Sequence, residues 1–327
     1  MLASLLRRIA TGIAVVLGVV TLTFFLLRIA PGDPVERLLG PAAPATQIAA
    51  QRHVLGLDRP LPQQYAAWLG RFARGDWGTS IATGLPVRQM IARAWPATVV
   101  LVVSSLALSY IFGILIGAVQ AARNGAPLDT ALSVVTVTLF AIPGYWLGLM
   151  LVMGFTYRLG WLPAFGAAGL DADFLPLTAR IVDRLRHLAL PLATLALIGI
   201  GGTARYVRGA MLDVMHESFV LTARAKGIGR QRVLFRHVLR NALIPVLTLL
   251  GLSLPAIFSG AVFIEAIFAW PGVGRLLVDA VVARDYPVVM AATVISAILV
   301  VLGNILADLL AAWADPRVRA AESGAVG

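Results

Sequence analysis

The 327-residue sequence contains no cysteine, a single lysine (Lys226) and few charged residues of any kind. Without cysteine, a disulfide framework, a thiolate metal site and a cysteine nucleophile are all excluded. Charged residues make up 13% of positions and hydrophobic residues 59%. Soluble proteins have about one quarter charged residues and about half apolar ones. A chain this apolar needs lipid as its solvent, so we predict an all-α integral membrane protein.

The sequence also lacks motifs for nucleotide binding and for hydrolytic chemistry. It has no GxxxxGK[ST] phosphate loop, so ATP can drive this protein only through another subunit. The histidines show no metal-ligand spacing such as HExxH, and we interpret all four as ordinary loop residues: His53, His187, His216 and His237. A proton-coupled carrier or an intramembrane hydrolase would need ionisable or catalytic groups in mid-span, and we find none there. We therefore predict no catalytic residue, no cofactor and no metal site.

Six apolar stretches are long enough, or nearly so, to cross a hydrocarbon core of about 30 Å, which takes about 20 helical residues. The third contains Pro143 and Gly144 at its centre, and the fifth contains Pro245 and Pro255, so both are predicted to be kinked helices. The fourth is the shortest and contains Pro191. The six predicted spans are 9–30, 98–119, 132–157, 188–204, 244–264 and 288–307.

The net charge of +11 is carried almost entirely by arginines that lie between the apolar stretches. They form no separate basic domain, so they indicate membrane orientation and not nucleic-acid binding. Arg7 and Arg8 precede the first span, and many basic residues follow the fourth, which places both regions in the cytoplasm by the positive-inside rule. Six spans then place both termini in the cytoplasm. Trp95, Trp161 and Trp270 would lie at the outer interface, where amphipathic rings are enriched.

This topology divides the chain into four parts. They are an N-terminal anchor helix, an extracytoplasmic region, a five-helix transmembrane core and a cytoplasmic tail. The core contains a long cytoplasmic segment between its third and fourth helices, which are the fourth and fifth spans of the chain. The predicted boundaries are 1–30, 31–96, 97–315 with the cytoplasmic segment at 205–243, and 316–327.

The end of the cytoplasmic segment has an amphipathic pattern. Its apolar residues are predicted to form one helical stripe, made of Val233, Leu234, Phe235, Val238 and Leu239. Arg232, Arg236 and Arg240 recur four residues apart on another face. Like charges at this spacing repel each other, so the arrangement is favourable only against a negative surface. That surface is either anionic lipid headgroups or an acidic face on a partner protein.

The run Phe219-Val-Leu-Thr-Ala-Arg-Ala-Lys-Gly227, followed by Arg240-Asn-Ala-Leu-Ile-Pro245, resembles the permease subunits of bacterial ABC importers. These carry a cytoplasmic motif of Glu-Ala-Ala, three residues and Gly, and the likeness is closest to the dipeptide, oligopeptide and nickel branch. Leu221 and Thr222 depart from the general motif by replacing its Glu-Ala. Arg240 stands where other branches have proline, which is typical of this branch.

Shorter segments along nearly the whole chain resemble the same family in the same order. They are Pro31-Gly-Asp-Pro34, Leu55-Gly-Leu-Asp58 with Gln64-Tyr65 and Trp68, Gly75-Asp-Trp-Gly78 with Ser80, Trp161-Leu-Pro163, Ile267-Phe-Ala-Trp-Pro-Gly-Val-Gly274 and Arg284-Asp-Tyr-Pro287. The resemblance implies a permease subunit in the bacterial inner membrane that performs no chemistry itself. Its implied partners are a second homologous permease, two ABC ATPase subunits and an extracytoplasmic substrate-binding protein. The implied cargo is a di- or oligopeptide, with nickel or a nickel chelate as the alternative.

The resemblance also assigns roles to residues. In the family, a short cytoplasmic helix docks into a groove of the ATPase, and Gly227 would allow the sharp turn that follows it. Ala223 and Ala225 are small enough for close approach. The implied ATPase-coupling residues are Glu217, Thr222, Ala223, Arg224, Ala225, Lys226, Gly227, Arg232, Arg236 and Arg240. The outer loop after the fifth span is either a rigid turn or a contact for the binding protein, through Trp270, Pro271, Gly272, Asp285 and Tyr286.

Overall fold

The computed structural model describes residues 2–29, 35, 39–40, 42–54 and 56–314. These residues form helices and no named β-strand, with one isolated bridge between Thr79 and Pro86. The Pro31–Pro34 segment, Leu55 and the predicted tail 316–327 lie outside the described residues. The helices are α1 (Leu2–Ile29), α2 (Ala45–Val54), α3 (Leu61–Ala73), α4 (Val87–Ala122), α5 (Pro127–Ala141), α6 (Gly144–Leu151), α7 (Leu177–Met215), α8 (Ser218–Ala225), α9 (Leu239–Ile267), α10 (Val273–Ala283) and α11 (Tyr286–Ala314).

Four short helical segments complete the set of helices in the described chain. The π-helical residues Val152–Arg158 continue α6, and a 3₁₀ turn, Ala172–Phe174, precedes α7. One helical turn, Arg230–Arg232, and the π-helical residues Val233–Val238 lead without a break into α9.

Four helices are long and apolar enough to cross a membrane among the residues described: Leu6–Ile29, Val87–Ala122, Leu177–Met215 and Tyr286–Leu306. The pair formed by α5 and the α6 segment adds a fifth crossing if it is one broken span. At the predicted fifth span, α9 runs as one 29-residue helix through Pro245 and Pro255. The all-helical membrane architecture is therefore confirmed, whereas six crossings remain a prediction.

The predicted kink in the third span is a complete break. The two helices are bent by 106° across Ile142 and Pro143. Pro143 has no backbone N–H to continue the helix, and its ring disfavours a helical conformation at the preceding residue. Ile142 is accordingly extended, with φ −69° and ψ 131°.

The predicted second and fourth spans are each part of a much longer helix. With about 1.5 Å of rise per residue, the 36 residues of α4 and the 39 of α7 are about 54 and 58 Å long. Both exceed a hydrocarbon core of about 30 Å, so their ends project beyond it. The histidines were predicted in loops, but His53 lies in α2, His187 in α7 and His237 in the π-helical turn. Only His216, directly after α7, lies between helices.

The centre of the bundle is the contact between α4 and α7, which small residues bring close together. A Cβ atom at Gly117 would lie 2.5 Å from the carbonyl oxygen of Ala204, and one at Gly113 would lie 2.6 Å from Thr203 Cβ. Ala204 and Val207 are fully buried at this contact. Close approach through small residues is the usual way in which helices associate in lipid, where no hydrophobic effect drives them together.

Other segments gather at the two ends of α4. At its N-terminal end, Val87 and Ile91 belong to one buried cluster with Val273 and Val288. At its C-terminal end, Ala118 and the start of α8 belong to another cluster. The first turns of α10 and α11 thus lie at the opposite end of the bundle from α8.

Candidate functional site

The first candidate site is the short helix α8 with the turn that ends it. The backbone N–H of Lys226 bonds to Thr222 O at 3.0 Å, and the N–H of Gly227 bonds to Arg224 O at 2.9 Å. Gly227 has φ +75°, a left-handed conformation that residues with a Cβ atom rarely adopt. No atom lies within 4 Å of the position where its Cβ would stand. The predicted sharp turn is therefore confirmed, and its backbone angle alone is what requires glycine.

One face of α8 is buried against the rest of the chain. Val220 and Ala223 are 0% and 6% exposed and pack in a cluster with Val207, Met211 and Val238. Ala223 was expected to face a partner, but it faces the protein's own core and serves to seat α8 there. The predicted coupling residues of this segment that are exposed are Glu217, Thr222, Arg224, Ala225, Lys226 and Gly227. Leu221 is exposed as well.

The predicted apolar stripe after α8 is only partly correct. Val233, Leu234 and Val238 are buried, but Phe235 is 57% exposed. The cause is the π-helical geometry of Val233–Val238, in which hydrogen bonds run over five residues and shift the phase of the buried face. Arg232, Arg236 and Arg240 are all exposed, and none forms an ion pair with another residue in the part of the chain that the structure describes.

A buried ion pair, which the sequence analysis missed, joins the α4–α5 corner to α7. Arg208 donates from Nε to Asp129 Oδ1 and from Nη2 to Asp129 Oδ2, both at 2.8 Å. It also donates to Asn124 Oδ1 at 3.0 Å, and the N–H of Gly125 donates to Asp129 Oδ2. The Asp129 side chain is 4% exposed and that of Arg208 30%. One signal was available, because Asp129 is the only acidic residue between Asp76 and Asp171.

The segment after α8 is also tied to this corner. Arg230 donates from Nη2 to the carbonyl oxygen of Ala122, the last residue of α4, at 2.9 Å. Together, the buried face of α8, the Arg230 bond and the Asp129–Arg208 pair connect α8 to α4, α5 and α7.

The second candidate site, the predicted outer loop, is mostly buried. Trp270 is 5% exposed and donates from Nε1 to the carbonyl oxygen of Ala97 at 2.9 Å. Its ring therefore packs inside the protein and is not presented to lipid, while its level at the outer interface stays a prediction. Trp161 is exposed and Trp95 half-buried. Gly272, Asp285 and Tyr286 are buried as well, so Pro271 is the only one of the five predicted contact residues that is exposed.

A buried carboxylate explains the shape of this loop. Glu265, near the end of α9, is 0% exposed and accepts hydrogen bonds from Thr98 Oγ1 at 2.7 Å and from the N–H of Gly274 at 2.7 Å. It also accepts one from the N–H of Arg275 at 3.2 Å. Glu265 thus caps the N-terminus of α10 and ties it to α4. The predicted span ends at residue 264, so Glu265 was not among the predicted site residues, although it is the only acid between Glu217 and Asp279.

Asp285 forms a similar connection to the N-terminal part of the chain. It accepts a hydrogen bond from the hydroxyl of Ser80 and others from the N–H groups of Ile81 and Ala82, at 3.1 and 3.2 Å. The guanidinium of Arg28 lies 5.0 Å from the ring centre of Tyr286. These contacts favour the rigid-turn interpretation of the outer loop over direct contact with a binding protein.

No group of three or more histidine and acidic residues that could hold a metal ion is found among the residues described. The three buried carboxylates described above, those of Asp129, Glu265 and Asp285, are all engaged in hydrogen bonds to other parts of the chain.

Comparisons with known proteins show which proteins this chain is similar to. The oligopeptide transport system permease protein AppB of Bacillus subtilis is 42% identical over 319 residues, covering 97% of this chain and 99% of the relative. The di/tripeptide transport system permease protein DppB of Pseudomonas aeruginosa is 40% identical over 333 residues, covering 98% and 99%. A putative peptide permease protein of Brucella suis is 39% identical over 322 residues, with the same coverage.

Two family models match, and between them they span most of the sequence. The model described as binding-protein-dependent transport system inner membrane component matches residues 110–320. The model for the N-terminal part of such membrane components matches residues 1–102. The chain therefore belongs to the family of inner membrane components of binding-protein-dependent transport systems.

Proposed function

We propose that this chain is a permease subunit of an ATP-driven ABC importer that carries di- or oligopeptides across the bacterial inner membrane. The observation that carries the proposal is the identity of 42% and 40%, over nearly the full length of both chains, with permeases named for oligopeptides and for di- and tripeptides. These names favour peptides over the nickel alternative. The importer would also contain a second homologous permease, two ATPase subunits and an extracytoplasmic binding protein.

The proposed topology has six crossings, made by α1, α4, the broken α5–α6 pair, α7, α9 and α11. Both termini and segment 205–243 face the cytoplasm, and region 31–96 faces outward. Two observations support it. The arginine-rich segment and the α4–α5 corner lie at one end of α4. The outer-loop residues Trp270 and Asp285 lie at the other, bonded to Ala97 and to Ser80.

In the proposed mechanism, α8 docks on an ATPase subunit through its exposed residues, among them Thr222, Arg224, Ala225 and Lys226. Closure of the ATPases on ATP displaces α8 as a rigid body, because Val220 and Ala223 seat it on the core. The displacement reaches α5 through the Arg208–Asp129 pair and α4 through Arg230. The bundle then changes between outward-open and inward-open arrangements, and ATP binding stabilises one of them.

The test is uptake by the complete importer in liposomes, with the binding protein inside or outside the vesicle. We expect ATP-dependent accumulation of a labelled dipeptide or tripeptide. Ni²⁺ alone should not accumulate. Uptake of Ni²⁺ without peptide, or assembly of this chain without ATPase subunits into an active carrier, would contradict the proposal.

A further inference from the structure

A cavity of about 730 Å³ lies at the C-terminal end of α1. Residues from α2, α3, the segment 76–84 and the start of α11 form its walls together with α1. Part of this wall is buried, since Phe24, Tyr286 and Met290 are 2%, 7% and 3% exposed. The volume of the cavity falls within the range of about 300–1,000 Å³ that is typical of ligand pockets.

Arg28 is held in this cavity with most of its donors unused. It lies half-buried in the last turn of α1, and its guanidinium lies 4.9 Å from the ring centre of Phe24 and 5.0 Å from that of Tyr286. Its Nε donates to Gln64 Oε1 at 2.9 Å, and Gln64 is itself fixed by donating to two backbone carbonyl oxygens. Neither Nη atom of Arg28 forms a hydrogen bond or an ion pair within the described residues. An arginine held in this way presents a fork of N–H groups that matches the oxygens of a phosphate or a carboxylate.

The charge around this fork is mainly positive. Arg59, Arg71 and Arg74 line the same cavity, are exposed, and form no ion pair within the part of the chain that the structure describes. Asp76 is the only acid among the described lining residues, and it accepts a hydrogen bond from the N–H of Gly78 at 3.0 Å. Partial burial of a guanidinium is costly unless a negative group pairs with it. The cavity is therefore complementary to an anion.

Two features indicate that this anion belongs to the membrane. Leu22, Leu26 and Ile29 of α1 are 61%, 57% and 75% exposed, so one face of the helix is apolar and open to lipid up to the last turn. Trp68 and Trp77 line the cavity, and tryptophan is enriched where a span leaves the hydrocarbon core. A lining that combines arginines with apolar and aromatic groups suits an amphiphile better than a free ion.

We propose that this cavity binds the headgroup of an anionic phospholipid, whose phosphodiester accepts hydrogen bonds from the Nη groups of Arg28. The exposed arginines around it supply the remaining positive charge. The inference requires that α1 crosses the membrane, but it depends neither on the direction of the crossing nor on the cargo. A lipid bound here would contact α1, α3 and the start of α11 together, and so would help to hold the N-terminal part of the chain on the bundle.

The test is native mass spectrometry of the complete importer in detergent, with phosphatidylglycerol or phosphatidylcholine added at equal concentrations. We expect the unmodified importer to hold one phosphatidylglycerol that Arg28→Gln binds about tenfold more weakly, because a bidentate, charge-assisted contact is lost. Binding of phosphatidylcholine should be weaker and should change less. Arg88→Gln is the matched control, since Arg88 is an exposed arginine in the first turn of α4 and outside the cavity. It removes the same charge and should leave the number of bound lipids unchanged.

A second variant decides the question if Arg28→Gln fails to assemble. Arg71 lies exposed at the rim of the cavity, so Arg71→Gln should fold normally and weaken the binding of phosphatidylglycerol, though by less than Arg28→Gln. Lipid binding at the wild-type level in Arg71→Gln, together with wild-type binding or failed assembly in Arg28→Gln, would overturn the proposal.

Two further arms separate the lipid from other anions. Inorganic phosphate and glycerophosphoglycerol, which is the headgroup without acyl chains, should not displace the bound lipid at equal concentration. Displacement by either would show a site for a free anion and would overturn the assignment to lipid. Loss of the binding protein from the Arg28→Gln importer, with an unchanged number of bound lipids, would assign the cavity to an acidic protein surface and would also overturn it.

Discussion

At the residue scale, Gly227 and Gly229 differ in a way that tests how the arginine-rich loop works. Gly227 has φ +75°, whereas Gly229 has φ −56°, which any residue adopts, and both have open space around them. Forcing a β-branched residue into the left-handed turn costs on the order of 1–3 kcal/mol and re-aims α8. We therefore expect Gly227→Val to reduce co-purification of the ATPase subunits and coupled transport. Gly229→Val should leave both near the wild-type level.

The arginines provide the opposing test of this loop. If the loop only binds anionic lipid, its function depends on charge, and changing Arg232, Arg236 and Arg240 together to Gln should have the larger effect. If it is a docking site, the Gly227 change should have the larger effect. Wild-type assembly and transport in Gly227→Val, combined with their loss in the triple arginine variant, would contradict ATPase docking by this loop.

The hydrogen bonds of Glu265 should make a measurable contribution to stability. Glu265→Leu removes the acceptor for the Thr98 hydroxyl and for the N–H of Gly274, both buried, and for the N–H of Arg275, which is partly buried. Each buried group left without a partner costs about 1–3 kcal/mol. We expect a clear fall in the thermal unfolding temperature of the purified chain in detergent. Glu265→Gln keeps one acceptor oxygen and should lose less.

Thr98 supplies the control for this prediction. Thr98→Ser keeps the hydroxyl that donates to Glu265 and accepts from the N–H of Val273 at 2.8 Å, so it should remain close to wild type. Thr98→Val removes the hydroxyl and should be destabilising. Additive effects of Thr98→Val and Glu265→Leu in a double-mutant cycle would show that the two side chains are not coupled.

The role of a residue could be predicted from the sequence more reliably where it depends on local backbone geometry than where it depends on packing. Gly227 could be identified because a helix followed by glycine is a local pattern. Ala223 was assigned to the wrong surface, since its burial against Val207 and Met211 comes from distant parts of the chain. Glu265 was missed for the same reason: two of its three donors lie in α10 and one in α4.

At the scale of elements, the apolar stretches located the helices but not their ends. Hydropathy detects where a helix is surrounded by lipid, whereas α7 continues on both sides into polar residues such as Arg180 and Asp213. The helix break at Pro143 was detectable because proline acts on its immediate neighbour. Its angle of 106° was not, because packing of α5 on α7 sets it: a Cβ atom at Gly201 would lie 2.6 Å from Thr136 O.

The Asp129–Arg208 pair should determine how firmly α5 is held to α7. Removing one partner of a fully buried pair costs about 3–5 kcal/mol, and the cost here should be smaller because Arg208 is 30% exposed. We expect Asp129→Asn and Arg208→Gln each to lower the unfolding temperature, and the double variant to lower it by less than the sum of the two. Transport should become uncoupled from ATP hydrolysis in both.

The matched control for the pair is Arg123→Gln. Arg123 is exposed and lies at the same α4–α5 corner, so its loss removes one positive charge, as Arg208→Gln does, without breaking the pair. It should leave stability and coupling unchanged. Strictly additive unfolding temperatures for the Asp129 and Arg208 variants, with wild-type coupling, would contradict a role for this pair in transmitting movement.

At the scale of the whole molecule, the two ends of the bundle should be accessible from opposite sides of the membrane. Ala66 is exposed on α3, which packs on α1 through the hydrogen bond of 2.7 Å between Tyr65 and Thr21, and His216 is exposed directly before α8. Because the chain has no native cysteine, Ala66→Cys and His216→Cys each introduce a unique thiol. A membrane-impermeant maleimide should label Ala66→Cys in intact cells and His216→Cys only in inside-out vesicles.

Both thiols should be able to react with the maleimide. Because α4 is about 54 Å long and the hydrocarbon core about 30 Å thick, the two ends of the bundle should project into water, and the two thiols lie at these ends. Labelling of both variants from the same side would contradict the six-crossing topology, since an odd number of crossings must separate the two positions.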